Sequence, residues 1–214
     1  MTRPKLLDLF CCEGGAAVGY DRAGFDVYGI DMEPRFAKRY PFGFFASDAL
    51  GILDSLLNDT PIPFEREGVV SWLFLSDFDA IHASPPCQAY TRGNAGRVTD
   101  WPRLIEPVRQ LLVTADKPYV IENVKDAGPE LVNPVGLCGC MFDLNTVDTD
   151  GVTIHLQRLR LFETNWGMKA PRACDHADHE WVAGAYGGAR RDKYEAKYVH
   201  KGGYVPHNKE AVKR

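Results

Sequence analysis

Hydrophobic positions in this chain gather into short blocks. Leu6 to Phe10, Val27 to Ile30, Phe78 to Ala83 and Tyr119 to Ile121 are mainly apolar runs of strand length bounded by Gly, Pro and Asp. Helical patterns lie between several of them. The clearest predicts a helix over Trp101 to Val113, with Asp100 as N-cap, Pro102 in the first turn, and Leu104, Ile105, Val108, Leu111 and Leu112 on one apolar face. Pro118 stops its continuation. Buried strands alternating with amphipathic helices predict an α/β fold, a mainly parallel sheet with helices on both faces, in which ligands bind beyond the carboxyl ends of the strands. After Trp166 aliphatic residues thin out in favour of Gly, Tyr, His, Lys and Arg, which predicts a cored domain over residues 1–166 and a small appendage over 167–214.

Composition narrows this picture. A 214-residue chain that is 45% hydrophobic suits one domain with a real core plus an appendage. A formal charge of −4 excludes a protein that coats nucleic acid by bulk electrostatics, so any such contact must use a local patch. The start, Met1-Thr2-Arg3-Pro4-Lys5, leads into a short apolar run without a signal-peptide core, and no run is long enough to span a bilayer. The expectation is a cytoplasmic protein with no membrane partner. In that compartment the six cysteines read as free thiols rather than a disulfide framework, leaving room for a nucleophile.

Candidate chemistry clusters at the strand ends. The first strand runs into Phe10-Cys11-Cys12-Glu13-Gly14-Gly15, where paired glycines let backbone approach a ligand; a tight turn without a ligand has the same signature. The second ends in Gly29-Ile30-Asp31-Met32-Glu33, placing an acid where nucleoside-binding folds take ribose hydroxyls. Asp79 to Ala83 leads into Ser84-Pro85-Pro86-Cys87-Gln88. Two prolines fix the backbone before Cys87 in a polar turn, as suits a positioned nucleophile. Tyr90 to Arg97 follows, with the composition of a mobile loop able to close over a polyanion or of an ordinary surface loop. Tyr119-Val120-Ile121 ends in Glu122-Asn123-Val124, a carboxylate placed to donate a proton or to face solvent. Leu156 to Phe162 alternates basic and apolar residues at strand period, which predicts Arg158 and Arg160 on one face.

In this order the motifs, from Leu6 to Phe162, resemble the cytosine-5 DNA methyltransferase family in its compact phage and bacterial form. The resemblance implies a Rossmann-like S-adenosylmethionine-dependent methyltransferase sheet and S-adenosylmethionine as cofactor. It assigns Phe10, Gly14, Gly15, Asp31, Met32, Asp48 and Pro86 to the cofactor side, with Met32 against the adenine and Asp48 at its amino group. It assigns Cys87, Glu122, Arg158 and Arg160 to catalysis. The implied partner is DNA with its target cytosine flipped out. Cytosine methylation in RNA, or binding without turnover, are the alternatives.

The chain also departs from the family. Gln157 directly precedes Arg158, and no final Asn-containing motif completing the cofactor pocket is evident before Arg214. The segment from Gly167 onward, with Arg190, Arg191, Lys193 and Lys197 beside Tyr186, Tyr194 and Tyr198, reads either as a reduced target-recognition region or as a solvated tail. Cys138, Cys140, Cys174, His176 and His179 match no standard zinc spacing closely, so free thiols and no metal are expected.

Overall fold

Strand β1 (Lys5–Leu9) sits at the centre of a parallel ladder, pairing with β2 (Asp26–Asp31) on one side and β6 (Ala80–Ala83) on the other. The computed structural model describes residues 2–91, 101–147, 151, 153–179 and 182–183. β3 (Gly43–Ala46) extends the β2 side and β7 (Tyr119–Val124) the β6 side, again in parallel. β4 (Ile62–Arg66) and β5 (Val69–Leu73) add an antiparallel hairpin beyond β3, and β11 (Arg160–Thr164) lies beyond β7. The order β5-β4-β3-β2-β1-β6-β7-β11 bears out the expected α/β class. The chain leaves β1 toward β2 and later returns to its other side at β6, so the order reverses between β1 and β6. Crevices at such reversals are where open α/β sheets bind ligands.

Helix α1 (Gly15–Arg22) links β1 to β2, α2 (Ala49–Leu57) follows β3, and α3 (Ile105–Ala115) links β6 to β7. Crossovers to parallel strands are right-handed, which puts α1 and α3 on opposite faces; α2 packs with α3. Period-two alternation assigns the layers. Leu6, Val27 and Phe44 meet Ala17 of α1, while Leu7, Leu9, Ile30 and Ile81 form the fully buried opposite layer.

The predicted helix over Trp101 to Val113 is shifted. It starts at Ile105, whose N–H donates to the Tyr90 hydroxyl at 3.2 Å, and Pro107 occupies the first turn. A tertiary bond thus sets its start, and Pro102 precedes it. Asp100 and residues 92–97 of the predicted loop lie outside the described residues.

The chain divides into two compact units: Met1–Pro134 with Phe162–Gly167, and Val135–Leu161 with the chain from Met168. The boundary read from composition, after Trp166, does not mark the excursion Val135–Leu161. In the second unit β9 (Asn145–Val147), β10 (Thr153–Leu156) and β12 (Val182–Ala183) form a sheet of order β12-β10-β9, and β8 (Val135–Leu137) leads into a 3₁₀ turn at Gly139–Phe142. Among its described residues Cys138, Cys140 and Met141 form a buried cluster, with Leu137 and Leu159 against them. The strand expected over Leu156 to Phe162 is broken, because β10 ends at Leu156 and β11 begins at Arg160, in a different sheet. No described helix is long and apolar enough to cross a membrane.

Candidate active site

The loop after β1 is built from left-handed residues. Phe10 (φ 59°), Cys12 (φ 49°) and Gly14 (φ 86°) alternate with ordinary ones, a concentration of backbone strain of the kind found at ligand clamps. The two glycines differ. A Cβ on Gly14 would meet the Tyr40 ring at 3.0 Å in addition to its positive φ, whereas one on Gly15 would meet nothing within 4 Å. Gly14 therefore shapes the turn and Gly15 leaves open space at the first residue of α1. That helix has no side-chain N-cap and no acid in its first turn, so its amino end keeps its partial positive charge.

Asp31 stands at the carboxyl end of β2, 8% exposed. One carboxylate oxygen accepts the Cys12 N–H at 3.0 Å and the other the Glu33 N–H at 3.0 Å, fixing the group while leaving lone pairs for further donors. The next residue, Met32, is 74% exposed and offers a flexible apolar side chain just beyond the same strand end. Asp48 caps α2, accepting the Gly51 N–H at 2.8 Å. That capping role accompanies the position expected to face an adenine.

Across the reversal, β6 gives way to the Ser84-to-Gln88 turn. Ser84 N–H donates to the Leu9 carbonyl at 3.1 Å, extending the β1 ladder by one bond. The Cys87 carbonyl accepts the backbone N–H groups of Tyr90 and Thr91 and the Thr91 hydroxyl, at 2.9–3.1 Å. Cys87 and Pro86 are half-buried. Glu122, expected just past a strand end, lies inside β7, one residue beyond the last registered pair, Ala83 with Ile121. It is half-buried. Asn123 is 3% exposed and its amide donates to the Pro85 carbonyl at 2.9 Å. This bond ties the Glu-Asn-Val strand to the Pro-Pro-Cys turn. The six positions Phe10, Gly14, Gly15, Asp31, Pro86 and Cys87 thus flank one reversal point, with Glu122 on the neighbouring strand. Arg158 and Arg160, both half-buried, belong to the second unit.

Sequence reasoning passes over a polar layer beneath the site. Gly29, Asp8 and His82 are neighbours across β2, β1 and β6 on the α1 face. Asp8 is fully buried; the Tyr40 hydroxyl donates to one oxygen at 3.1 Å and the other has no partner. Burial, with Asp31 nearby, lifts its pKa to about 7 against the Tyr40 hydrogen bond. Gly29 is required here, since a Cβ would come within 2.3 Å of Tyr40. His82 bonds Tyr20 at 3.0 Å through Nδ1 and Ser84 at 2.7 Å through Nε2; burial lowers its pKa to about 4, so the ring is neutral at pH 7. Burial also pushes the Cys11 thiol up, which keeps it protonated.

Asp8 predicts a pH dependence. Between its ordinary pKa of 3.8 and its folded value near 7, the unfolded chain loses the proton and the folded chain keeps it. Stability contributed by Asp8 is therefore full below about pH 4 and is lost as pH rises through 7. Denaturant unfolding of Asp8→Asn beside the parent should show a difference that grows in the variant's favour by roughly 2–4 kcal/mol across this window. A difference independent of pH would show that Asp8 ionises normally in the fold.

No family model matches the chain. Over 128 residues it is 28% identical to the type II methyltransferase M.XorII of Xanthomonas oryzae pv. oryzae, covering 58% of this chain and 29% of that one. Over 124 residues it is 31% identical to the type II methyltransferase M1.HphI of Haemophilus parahaemolyticus, covering 55% and 32%. Both relatives agree with the family resemblance carried by the motifs. The chain spans about a third of the length of either. Among solved structures, Spodoptera frugiperda DNMT2 aligns at 18% identity and a TM-score of 0.44, over 84% of this chain and 55% of that one.

Proposed function

We propose that the chain transfers a methyl group from S-adenosylmethionine to carbon 5 of cytosine in DNA, through a transient bond from Cys87 to the base. The observation that carries this reading is the Asn123-to-Pro85 bond, which locks the Glu-Asn-Val strand to the Pro-Pro-Cys turn beside the β1/β6 reversal. The donor set suits the cofactor. An uncapped α1 amino end and open space at Gly15 fit its carboxylate and close backbone approach, Asp31 retains acceptor capacity for ribose hydroxyls, and Met32 offers an apolar face for adenine. When bound, S-adenosylmethionine supplies an electrophilic methyl group on a sulfonium.

The chain's own residues supply the rest. Carbon 5 of cytosine is a weak nucleophile. The Cys87 thiolate forms a bond to carbon 6, the carbon 5–carbon 6 π pair shifts to carbon 5, and carbon 5 becomes enamine-like. Glu122 donates a proton to ring nitrogen 3 and accepts from the exocyclic amine, offsetting the negative charge that develops on the ring. After carbon 5 is alkylated, a water molecule takes its proton, the electron pair left behind re-forms the carbon 5–carbon 6 double bond and expels Cys87 as thiolate, and ring nitrogen 3 returns its proton to Glu122. A base stacked in a duplex cannot reach Cys87, so the cytosine is flipped out or already unpaired. Arg160 is assigned to the carbonyl oxygen of the base, on resemblance to the family's paired arginines.

Trapping tests the proposal. DNA carrying 5-fluorocytosine cannot lose a proton from carbon 5, so with S-adenosylmethionine it should form an adduct with the protein that survives denaturation. Labelling confined to RNA under the same conditions would sink the DNA assignment.

A further inference from the structure

The second unit gathers four soft ligand atoms from two separated segments. Cys138 and Cys140 flank Gly139 at the end of β8, and Cys174 and His176 flank Asp175. Their three Sγ atoms and one imidazole nitrogen all lie within 4.8 Å of one another. Cys138 Sγ is 3.5 Å from His176 Nε2, Cys174 Sγ is 3.1 Å from the same nitrogen, and Cys140 Sγ is 3.3 Å from Cys174 Sγ. Ligands at zinc distances on a tetrahedron stand about 3.6–3.8 Å apart, close to this spacing. The sulfur separation is too long for a disulfide, which needs about 2.05 Å.

We infer that Cys138, Cys140, Cys174 and His176 form a structural zinc site that fastens the Met168-to-His179 segment to the Cys-Gly-Cys turn. This differs from the expectation of free thiols and no metal, and it stands independently of the proposed methyl transfer.

Local structure supports the assignment. Gly139 permits the turn, because a Cβ there would lie 2.4 Å from the Leu156 carbonyl of β10. Leu144 N–H donates to the Gly139 carbonyl and Leu156 N–H to the Leu144 carbonyl, so the Cys138–Cys140 half is anchored on regular structure. The other half is not. Residues 168–179 contain no helix or strand, and Pro171 to Asp178 are exposed. Among the described residues of this unit the buried apolar side chains are Cys138, Cys140, Met141 and Ile154, so a bound metal would add a cross-link to a small described core.

The chemistry selects the ion. Three thiolates and one imidazole in a closed tetrahedron favour zinc over hard cations. Binding displaces three thiol protons, and three thiolates with a neutral imidazole on Zn²⁺ carry a net charge of −1. Arg172, which donates to the Cys140 carbonyl at 2.5 Å and pairs with Asp143, supplies a positive charge beside it. His179 lies outside the ligand set, stacked on His155 at 4.0 Å and bonded to Gln157 at 3.0 Å. The first turn therefore uses a Cys-x-Cys pair and the second a Cys-x-His pair, neither of which fits the usual two-to-four-residue spacing.

Metal content of the full chain, purified reduced and without chelator, tests this. One zinc per chain should survive gel filtration and be released in full by a thiol-blocking mercurial. Cobalt added to the metal-free protein should give the intense visible absorption of a tetrahedral site with thiolate-to-metal charge transfer. Because a lost ligand could unfold this unit, the parent cobalt spectrum is the primary readout. Cys138→Ser and Cys174→Ser should each weaken zinc affinity at least ~100-fold, His176→Cys should keep the metal with an all-thiolate spectrum, and His179→Ala should keep it unchanged. Background zinc with no tetrahedral cobalt spectrum would overturn the site. So would a Cys140–Cys174 disulfide in freshly prepared protein, or equal losses in His179→Ala and His176→Ala.

Discussion

Cys87→Ser is expected to abolish both the adduct with 5-fluorocytosine DNA and methyl transfer, the latter by on the order of 10³-fold or more. A serine hydroxyl at neutral pH is almost wholly protonated and far less nucleophilic toward a polarised double bond than a thiolate, so the first bond fails to form. The change is nearly isosteric. The Cys87 carbonyl should keep its three donors from Tyr90 and Thr91, and the Pro85 carbonyl should keep its bond to Asn123. Folding should therefore be intact, and unfolding curves of variant and parent should superimpose within about 1 kcal/mol. Single-turnover transfer of labelled methyl groups measures the loss. Transfer by the serine variant at the parent rate would end the covalent mechanism. Cys11 is not a substitute nucleophile, since burial holds it as a thiol.

Different parts of this architecture differ in how far they can be read along the chain. The strands β1, β2, β6 and β7 are legible because parallel strands buried on both faces must be apolar nearly throughout. The turns that follow them carry proline and glycine for backbone reasons that act within a few residues. What escapes is whatever depends on partners distant in sequence. Asp8 and His82 look like interruptions in apolar strands. Their meaning emerges only when the two-residue period turns them toward Tyr40 and Tyr20 under α1. The start of α3 is missed for the same reason, because Tyr90 rather than a local cap receives its first N–H. The Cys138–His176 cluster joins residues 38 apart in a pattern with no familiar spacing. Asn123, quoted only as the middle of a motif, proves to be the strut between the two halves of the site.

The second large effect lies on the outer side of β7, away from the reacting groups. Glu163, on β11, is 1% exposed, and no local pattern marks it as buried. Arg109 of α3 reaches it with two parallel bonds, Nε to Oε1 at 2.6 Å and Nη2 to Oε2 at 2.7 Å. The same guanidinium donates to the Glu130 carbonyl at 2.6 Å and pairs with Glu106, while Val132 N–H donates to Glu163 at 2.7 Å. One ion pair thus fastens α3, β11 and the 130–132 segment together. Glu163 favours the charged guanidinium and raises its pKa further, so Arg109 is permanently ionised. Truncating one member of a buried pair leaves the other charge in a poor solvent. Arg109→Met, which keeps the apolar stem, is therefore expected to destabilise the fold by about 3–5 kcal/mol in urea unfolding. Glu163→Gln on that background removes the stranded charge but keeps an acceptor for the Val132 N–H, and should recover part of the loss. Strict additivity of the two substitutions, or a single-variant cost under about 1 kcal/mol, would mean that the pair is solvated in the protein and that α3 is held to β11 by apolar packing instead.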